Sequence, residues 1–231
     1  RQRQMCIRDS SYTGNNTYEI AYKSKCKIKA ESIILSKGGG YIAGDNCLIK
    51  KTSTKLYAAL SDGMGSGLKA YEASKALLKR LEGLINLPYD DEKIIRLLTE
   101  LSHISLFTSS YATLDFFSAN LATKKGKLFK IASSTSLLIR NNQIKEFNTK
   151  TLPIDFDGIL DLYEIDLEKN DIILLMSDGV FDFSNIKALY SYILSISYLE
   201  PDKLVYNIAK YIFNESCLLY TSPSPRDRSL S

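Results

Sequence analysis

Hydrophobic periodicity changes along this chain in blocks, and the order of the blocks restricts the fold more than any other feature. Residues 18–30 alternate in polarity through Tyr18, Ile20, Tyr22, Cys26 and Ile28, the period of a half-buried strand. Residues 41–50 and 55–61 form two more strand candidates around the polar connector 51–54 and read as a hairpin. The period then lengthens. Across 68–85 the apolar residues Ala73, Ala76, Leu77, Leu81, Leu84 and Ile85 recur at helical steps. A second helix is expected after Pro88, with Asp90 or Asp91 as N-cap and Ile94, Ile95, Leu97, Leu98, Leu101 and Ile104 as its buried face. Strand texture returns at 112–122, 128–133, 137–140 and 144–147, the last two joined by Asn141-Asn142, a turn pair that tolerates positive φ. Residues 160–167 and 171–177 are expected to pair. The run Ile172-Ile173-Leu174-Leu175-Met176 is apolar enough for a central strand covered on both faces. Residues 186–213 are helical again, interrupted at Pro201. Segregated blocks predict an α+β domain with antiparallel sheets and helices packed outside, not a doubly wound βαβ fold.

Composition narrows the class. The 231 residues (26.0 kDa) are 45% hydrophobic and 24% charged, enough to bury a sizeable core and too apolar for a disordered chain. No run approaches the roughly 20 apolar residues of a membrane-spanning helix. The net charge of +4 sits at the ends: setting aside Arg1, Arg3, Arg8, Arg226 and Arg228 with Asp9 and Asp227 lowers 30 basic residues to 25 and 26 acidic ones to 24. A nucleic-acid partner is therefore not expected. The ends also differ in texture from the Lys-, Ile-, Asn- and Tyr-rich body and resemble translated sequencing-adapter read-through. Residues 1–10 and 217–231 are expected to be non-native tails around one domain at 11–216, cut at both ends. Cys26 and Cys47 form no CxxC pair and read as reduced thiols in a cytosolic protein.

Three aspartates stand out. Asp45 lies in Ala-Gly-Asp-Asn at a strand start, while Asp62 and Asp178 each lie in a Ser-Asp-Gly triplet that ends a buried strand. Chance would place far fewer than one such triplet in a chain of this composition. Asp-Gly is also a favoured turn dipeptide, so a purely structural reading stays open. After Ser61-Asp62-Gly63, however, the chain runs through Met64-Gly65-Ser66-Gly67 into a helix, a bend that lets backbone approach an ion closely. Strand-end carboxylates with a carbonyl freed beside a glycine are the hard oxygen donors that Mg²⁺ or Mn²⁺ prefers. Other signals are weaker. The glycines at 63, 65 and 67 lack the ending of a P-loop and the spacing of a dinucleotide fingerprint. His103, the sole histidine, reads as structural, and the tyrosines form no stacking platform. The acidic group Asp155, Asp157 and Asp161 reads as a solvated loop.

Gly38-Gly39-Gly40, Gly44-Asp45 and Ser61-Asp62-Gly63-Met64-Gly65-Ser66-Gly67 begin an ordered set of matches. Tyr111-Ala112-Thr113-Leu114-Asp115, Leu152-Pro153-Ile154 and Ser177-Asp178-Gly179 complete it. Over residues 18–183 this set resembles the phosphatase domain of the stage II sporulation protein E family, within the metal-dependent PPM serine/threonine phosphatases. The resemblance implies an α/β/β/α sandwich of two antiparallel sheets flanked by helices, with two Mn²⁺ or Mg²⁺ ions at one end. It implies that Asp62 bridges both ions, that the Gly63 carbonyl completes one, that Asp178 holds the other, and that Asp45 binds directly or through water. Such ions activate a water for in-line attack on phosphoserine and neutralise phosphoryl charge. Asp45, Asp62 and Asp178 are thus the expected catalytic residues, with no organic cofactor.

The resemblance further implies a phosphorylated anti-anti-sigma factor of STAS type as substrate, in sporulation control. It implies a cytoplasmic domain whose parent carries an N-terminal membrane-embedded region, and it leaves a homodimer open. The helix after Gly67 resembles an element that switches activity in relatives, which makes Gly65 and Gly67 candidate regulatory positions. The family pattern ends in a strand with Asp-Asp-x-Thr, and nothing like it follows Glu215. The last strand is therefore expected to be missing. The competing readings are a catalytically inactive module of the same fold that binds a partner, and a nucleotide-binding protein using the glycine loop.

Overall fold

In the computed structural model, residues 8–12, 18–22, 26–35, 42–104, 111–149, 161–181 and 185–221 are described. Strands β1 (Arg8–Tyr12) and β2 (Tyr18–Tyr22) pair as a separate antiparallel ribbon. Five strands, β3 (Asp45–Lys51), β4 (Lys55–Asp62), β5 (Leu114–Asn120), β6 (Lys125–Ile131) and β9 (Asp161–Asp166), form one antiparallel sheet in the order β3-β4-β5-β6-β9. Three others, β7 (Ser136–Arg140), β8 (Gln143–Phe147) and β10 (Ile172–Leu174), form a second sheet in the order β10-β7-β8. Asn141 and Asn142 take φ of 50° and 59° in the β7–β8 hairpin, the double positive φ that this turn needs. Helices α1 (Leu68–Ile85) and α2 (Asp91–Ile104) precede β5, and α3 (Ile186–Ile196) and α4 (Pro201–Thr221) follow β10.

Three apolar clusters define the layers. Leu81, Leu84, Ile94, Ile95 and Leu98 of α1 and α2 pack on Tyr57, Phe116 and Phe129, one face of the five-stranded sheet. The other face, through Leu56, Phe117 and Leu128, meets Leu138 and Phe147 of the three-stranded sheet. Leu137, Ile139 and Leu174 on the far face of that sheet are covered by Leu189, Ile193, Leu204 and Ile208 of α3 and α4. The result is the expected α/β/β/α sandwich. Period-two alternation on each strand lets both sheets be apolar on both faces.

Several local expectations are corrected. Strand β9 pairs with β6, and β10 pairs with β7, so 160–167 and 171–177 do not form a hairpin. The run at 172–176 is covered on both faces, with Ile172 and Leu174 toward α3 and α4 and Ile173 and Leu175 between the sheets. Yet β10 is an edge strand among the described residues, because burial of both faces requires layers above and below and says nothing of lateral neighbours. The buried stripe of α1 runs through Ala70, Ser74, Leu78, Leu81, Leu84 and Ile85, leaving Ala76 exposed, since a helix this rich in Ala and Leu does not mark its own phase. Leu101 is exposed. Asp90 is the N-cap of α2, its Oδ1 accepting from Lys93 N at 2.8 Å. Asp91 instead turns inward to Lys55 Nζ at 2.7 Å and the Ser118 hydroxyl at 2.8 Å, fastening α2 to the sheet.

Strand β1 takes in Arg8, Asp9 and Ser10, and α4 continues past residue 216 to Thr221. Among the described residues no helix is long and apolar enough to cross a membrane. Gly38-Gly39-Gly40, Leu152-Pro153-Ile154, Asp155, Asp157 and the His103 side chain lie outside the described residues. Asp161 is in β9, where its Oδ2 accepts from the Thr149 hydroxyl at 2.9 Å.

Candidate functional site

Asp45 begins β3 and Asp62 ends β4, and the ladder sets the two directly opposite each other. Opposed residues of an antiparallel pair share a face. Alternation from Leu56 puts that face toward the second sheet. Asp178 arrives from the other layer. Beyond β10 the chain closes a single 3₁₀ turn at Asp178–Val180, capped by Ser177 in an extended conformation. The Ser177 hydroxyl donates to Asp45 Oδ2 at 3.0 Å, joining the ends of the two sheets. The two Ser-Asp-Gly triplets are therefore not equivalent: Ser61 is fully buried, and its hydroxyl has no hydrogen-bond partner among the described residues.

Backbone bonds hold Asp62 in place. Its N–H donates to the Thr113 hydroxyl at 3.1 Å and its carbonyl accepts from Thr113 N at 2.8 Å. Gly63 then packs flat against the first turn of α1. A Cβ there would lie 1.9 Å from the Ala70 carbonyl oxygen, so no other residue fits without moving the helix. The helix is tied to the same corner by Ser74, whose hydroxyl reaches the Gly44 carbonyl at 2.5 Å and receives Asn46 Nδ2 at 2.8 Å. Gly65 and Gly67 have φ of 97° and 72°. With ψ at −150°, Gly67 occupies a region that is essentially glycine-only. Substitution at Gly67 therefore strains the backbone whatever regulatory part the position plays.

The Asp62 carboxyl is pushed up to about 7. Burial is the largest cause, followed by the negative charges of Asp45 and Asp178, both within hydrogen-bonding reach of it. All of these causes act in the same direction, and the charged side chains among the described residues that act on Asp62 are two carboxylates. Among the described residues no group of three or more His, Cys, Asp or Glu side chains is placed as it stands to hold a metal ion. The donors nevertheless suit a hard divalent ion, which keeps several waters and needs only one or two carboxylates together with substrate phosphate. They are all oxygens. A Cβ placed on Gly44 would lie 3.2 Å from Asp62 Oδ1 and 3.5 Å from the Gly63 carbonyl oxygen, so those two atoms border one space kept clear of side chain.

Asp45, Asp62, Gly63 and Asp178 thus converge, with Gly65 and Gly67 in the adjoining bend. Sequence reasoning assigned no role to Ser177, Thr113 or Lys130. Ser177 and Thr113 lay inside matched motifs. The trace of Lys130 was a lysine at an inward position of an apolar strand.

Two face-to-face antiparallel sheets between helix pairs, with acidic strand ends meeting at one edge, form the PPM (PP2C) phosphatase sandwich. The structure superposes on the PP2C phosphatase domain with a regulatory fragment of the cell fate determinant SpoIIE from Bacillus subtilis (TM-score 0.74, 22% identity, 90% of this chain and 66% of that one). It also superposes on RsbX in complex with magnesium (TM-score 0.60, 20% identity, 78% and 85%). The family model for stage II sporulation protein E matches residues 52–212. The chain belongs to the stage II sporulation protein E family. Stage II sporulation protein E of Bacillus subtilis is 29% identical over 153 residues, which are 64% of this chain and 18% of that protein's length.

Proposed function

We propose that this domain is a metal-dependent serine/threonine protein phosphatase that hydrolyses phosphoserine on a small anti-anti-sigma protein of STAS type. The observation that carries the reading is the meeting of Asp45, Asp62 and Asp178, with no basic side chain among the described residues acting on Asp62. Two Mn²⁺ or Mg²⁺ ions bound there would activate a water and neutralise charge on the phosphoryl oxygens. Asp62, Asp45, Asp178 and the Gly63 carbonyl would be the oxygens that hold them, with Asp62 between the other two carboxylates. Thr113 and Ser177 orient these groups, since backbone or side-chain bonds fix Asp62 and Asp45 before any ion binds. Family membership supports the substrate class and a role in sporulation control. The same membership supports a cytoplasmic placement in a membrane-anchored parent, and it is the basis for testing Gly65 and Gly67 as regulatory positions.

Phosphate release from a phosphoserine STAS protein with and without Mn²⁺ tests the reading, using the full-length protein. Release is expected to require the metal and to fall about a thousandfold in Asp62→Asn, the loss of several kcal/mol of transition-state stabilisation. Metal-independent release, or release that survives Asp62→Asn, overturns it. Partner binding without hydrolysis would leave the non-catalytic module.

A further inference from the structure

The one fully buried ion pair among the described residues lies beside the acidic cluster and outside the roles assigned so far. Asp115 on β5 and Lys130 on β6 are ladder partners on the face between the sheets, 1% and 0% exposed at their side chains. Lys130 Nζ donates to Asp115 Oδ1 at 2.5 Å, to the Ser134 carbonyl at 2.6 Å and to the Ser136 hydroxyl at 2.8 Å, using all three of its protons. Asp115 Oδ1 also accepts from the Ser133 hydroxyl at 2.7 Å. The ammonium therefore grips the crossover that carries the chain from β6 in one sheet to β7 in the other. From that crossover the Ser134 hydroxyl donates to the Met176 carbonyl, immediately before Ser177 and Asp178. A cavity of about 180 Å³ lies between the pair and the cluster, lined by Asp62, Thr113, Asp115, Ser133 and Asp178 among others.

Apolar residues of similar volume would fill such a place at least as stably, because burying two charges costs about what their attraction returns. What an ion pair adds is direction. We infer that Asp115 and Lys130 are positioning residues: through Ser134 they clamp the turn that presents Asp178, and so set the spacing between the Asp178 carboxylate and Asp62. Asp62 and Asp45 are spaced by a hydrogen-bonded ladder, whereas Asp178 comes from the other sheet and needs such a link. The inference rests on the metal-dependent reading of the acidic cluster.

Ser134→Ala cuts the link to Met176 and leaves the ion pair intact, while Ser134→Thr keeps a hydroxyl. In the full chain, Mn²⁺ affinity by titration calorimetry is expected to weaken about tenfold in Ser134→Ala, as for groups that orient metal ligands. It should recover in Ser134→Thr, with the metal-free thermal midpoint unchanged in both. In the metal-free chain, the amides of Val180 and Phe181, which close the turn onto Ser177 and Asp178, should exchange faster in Ser134→Ala. The paired replacement of Asp115→Leu with Lys130→Met should show the same two losses with the fold retained. Unchanged affinity and exchange in both variants overturns the inference, as does a fall in thermal midpoint that Ser134→Ala shares with its loss of affinity. If the parent chain takes up no Mn²⁺, the metal reading itself fails, and the exchange measurement alone decides whether the clamp holds the turn.

Discussion

Asp115 and Asp62 stand on neighbouring strands of one sheet, facing the same way, and are treated in opposite fashion. Burial pushes both carboxyls up. At Asp115 the push is opposed by the Lys130 ammonium and by hydrogen bonds from Lys130, Ser133 and Ser136. At Asp62 no group among the described residues opposes it, and Asp45 and Asp178 add to it. One site is complete with the groups the chain supplies. The other is an electrostatic deficit that only a bound cation or proton relieves. The contrast shows how an internal acid that serves the fold can be told from one that awaits a ligand: the deciding feature is the sign of what surrounds it, more than its depth.

The largest effect that would break this comparison is on Lys130. Lys130→Met leaves Asp115 buried without its cation and is expected to cost about 3–5 kcal/mol in urea unfolding. A loss below 1 kcal/mol would mean that the pair is not the structural half of the contrast. At Asp62 the sign reverses. The native carboxyl is pushed up to about 7 from an ordinary 3.8, so the native chain binds more protons across that window. Stability of the metal-free chain therefore falls as pH rises from about 4 to about 7. Asp62→Asn should remove part of that fall and leave the metal-free variant at least as stable as the parent at pH 8, measured by thermal melts. Added Mn²⁺ should raise the parent's midpoint at pH 8 and leave the variant's almost unmoved. A variant less stable than the parent at that pH would sink the deficit argument. The smallest effect lies between the two sites. Ala132, in the crossover, has φ of 50°, a left-handed conformation costly for a residue with a Cβ. Ala132→Gly is expected to stabilise by about 1 kcal/mol, and a loss instead would show that the methyl group is packed where it matters.

Much of this was legible in the residues. The hairpin turn at Asn141-Asn142, the extent of α1, a cap at Asp90 or Asp91 and the strand ending at Ser61-Asp62 follow from φ preferences, capping chemistry and periodicity, which act over a few residues, whereas β10 stops at Leu174, short of the second Ser-Asp-Gly. The C-terminal half of the stripe that α1 buries, Leu81, Leu84 and Ile85, follows from periodicity, but its first half does not, because Ala70, Ala73, Ala76 and Leu78 offer several apolar stripes and only contact with Gly63 and the sheet selects one. The apolar run at 172–176 advertised cover on two faces and nothing about its lateral place in the sheet.

By itself, then, the sequence determined most of the strands and helices between residues 45 and 213, the Asn141-Asn142 turn, and the place of Asp45 and Asp62 at strand ends. All of these are consequences of local backbone energetics. Only the tertiary structure decided that β9 joins β6 while β10 joins β7, that Lys130 is buried against Asp115, and that Ser177 reaches Asp45 across 132 residues of chain. Those outcomes depend on how two double-faced sheets share one apolar interior, and a buried charge shows its purpose only once the groups around it are in place.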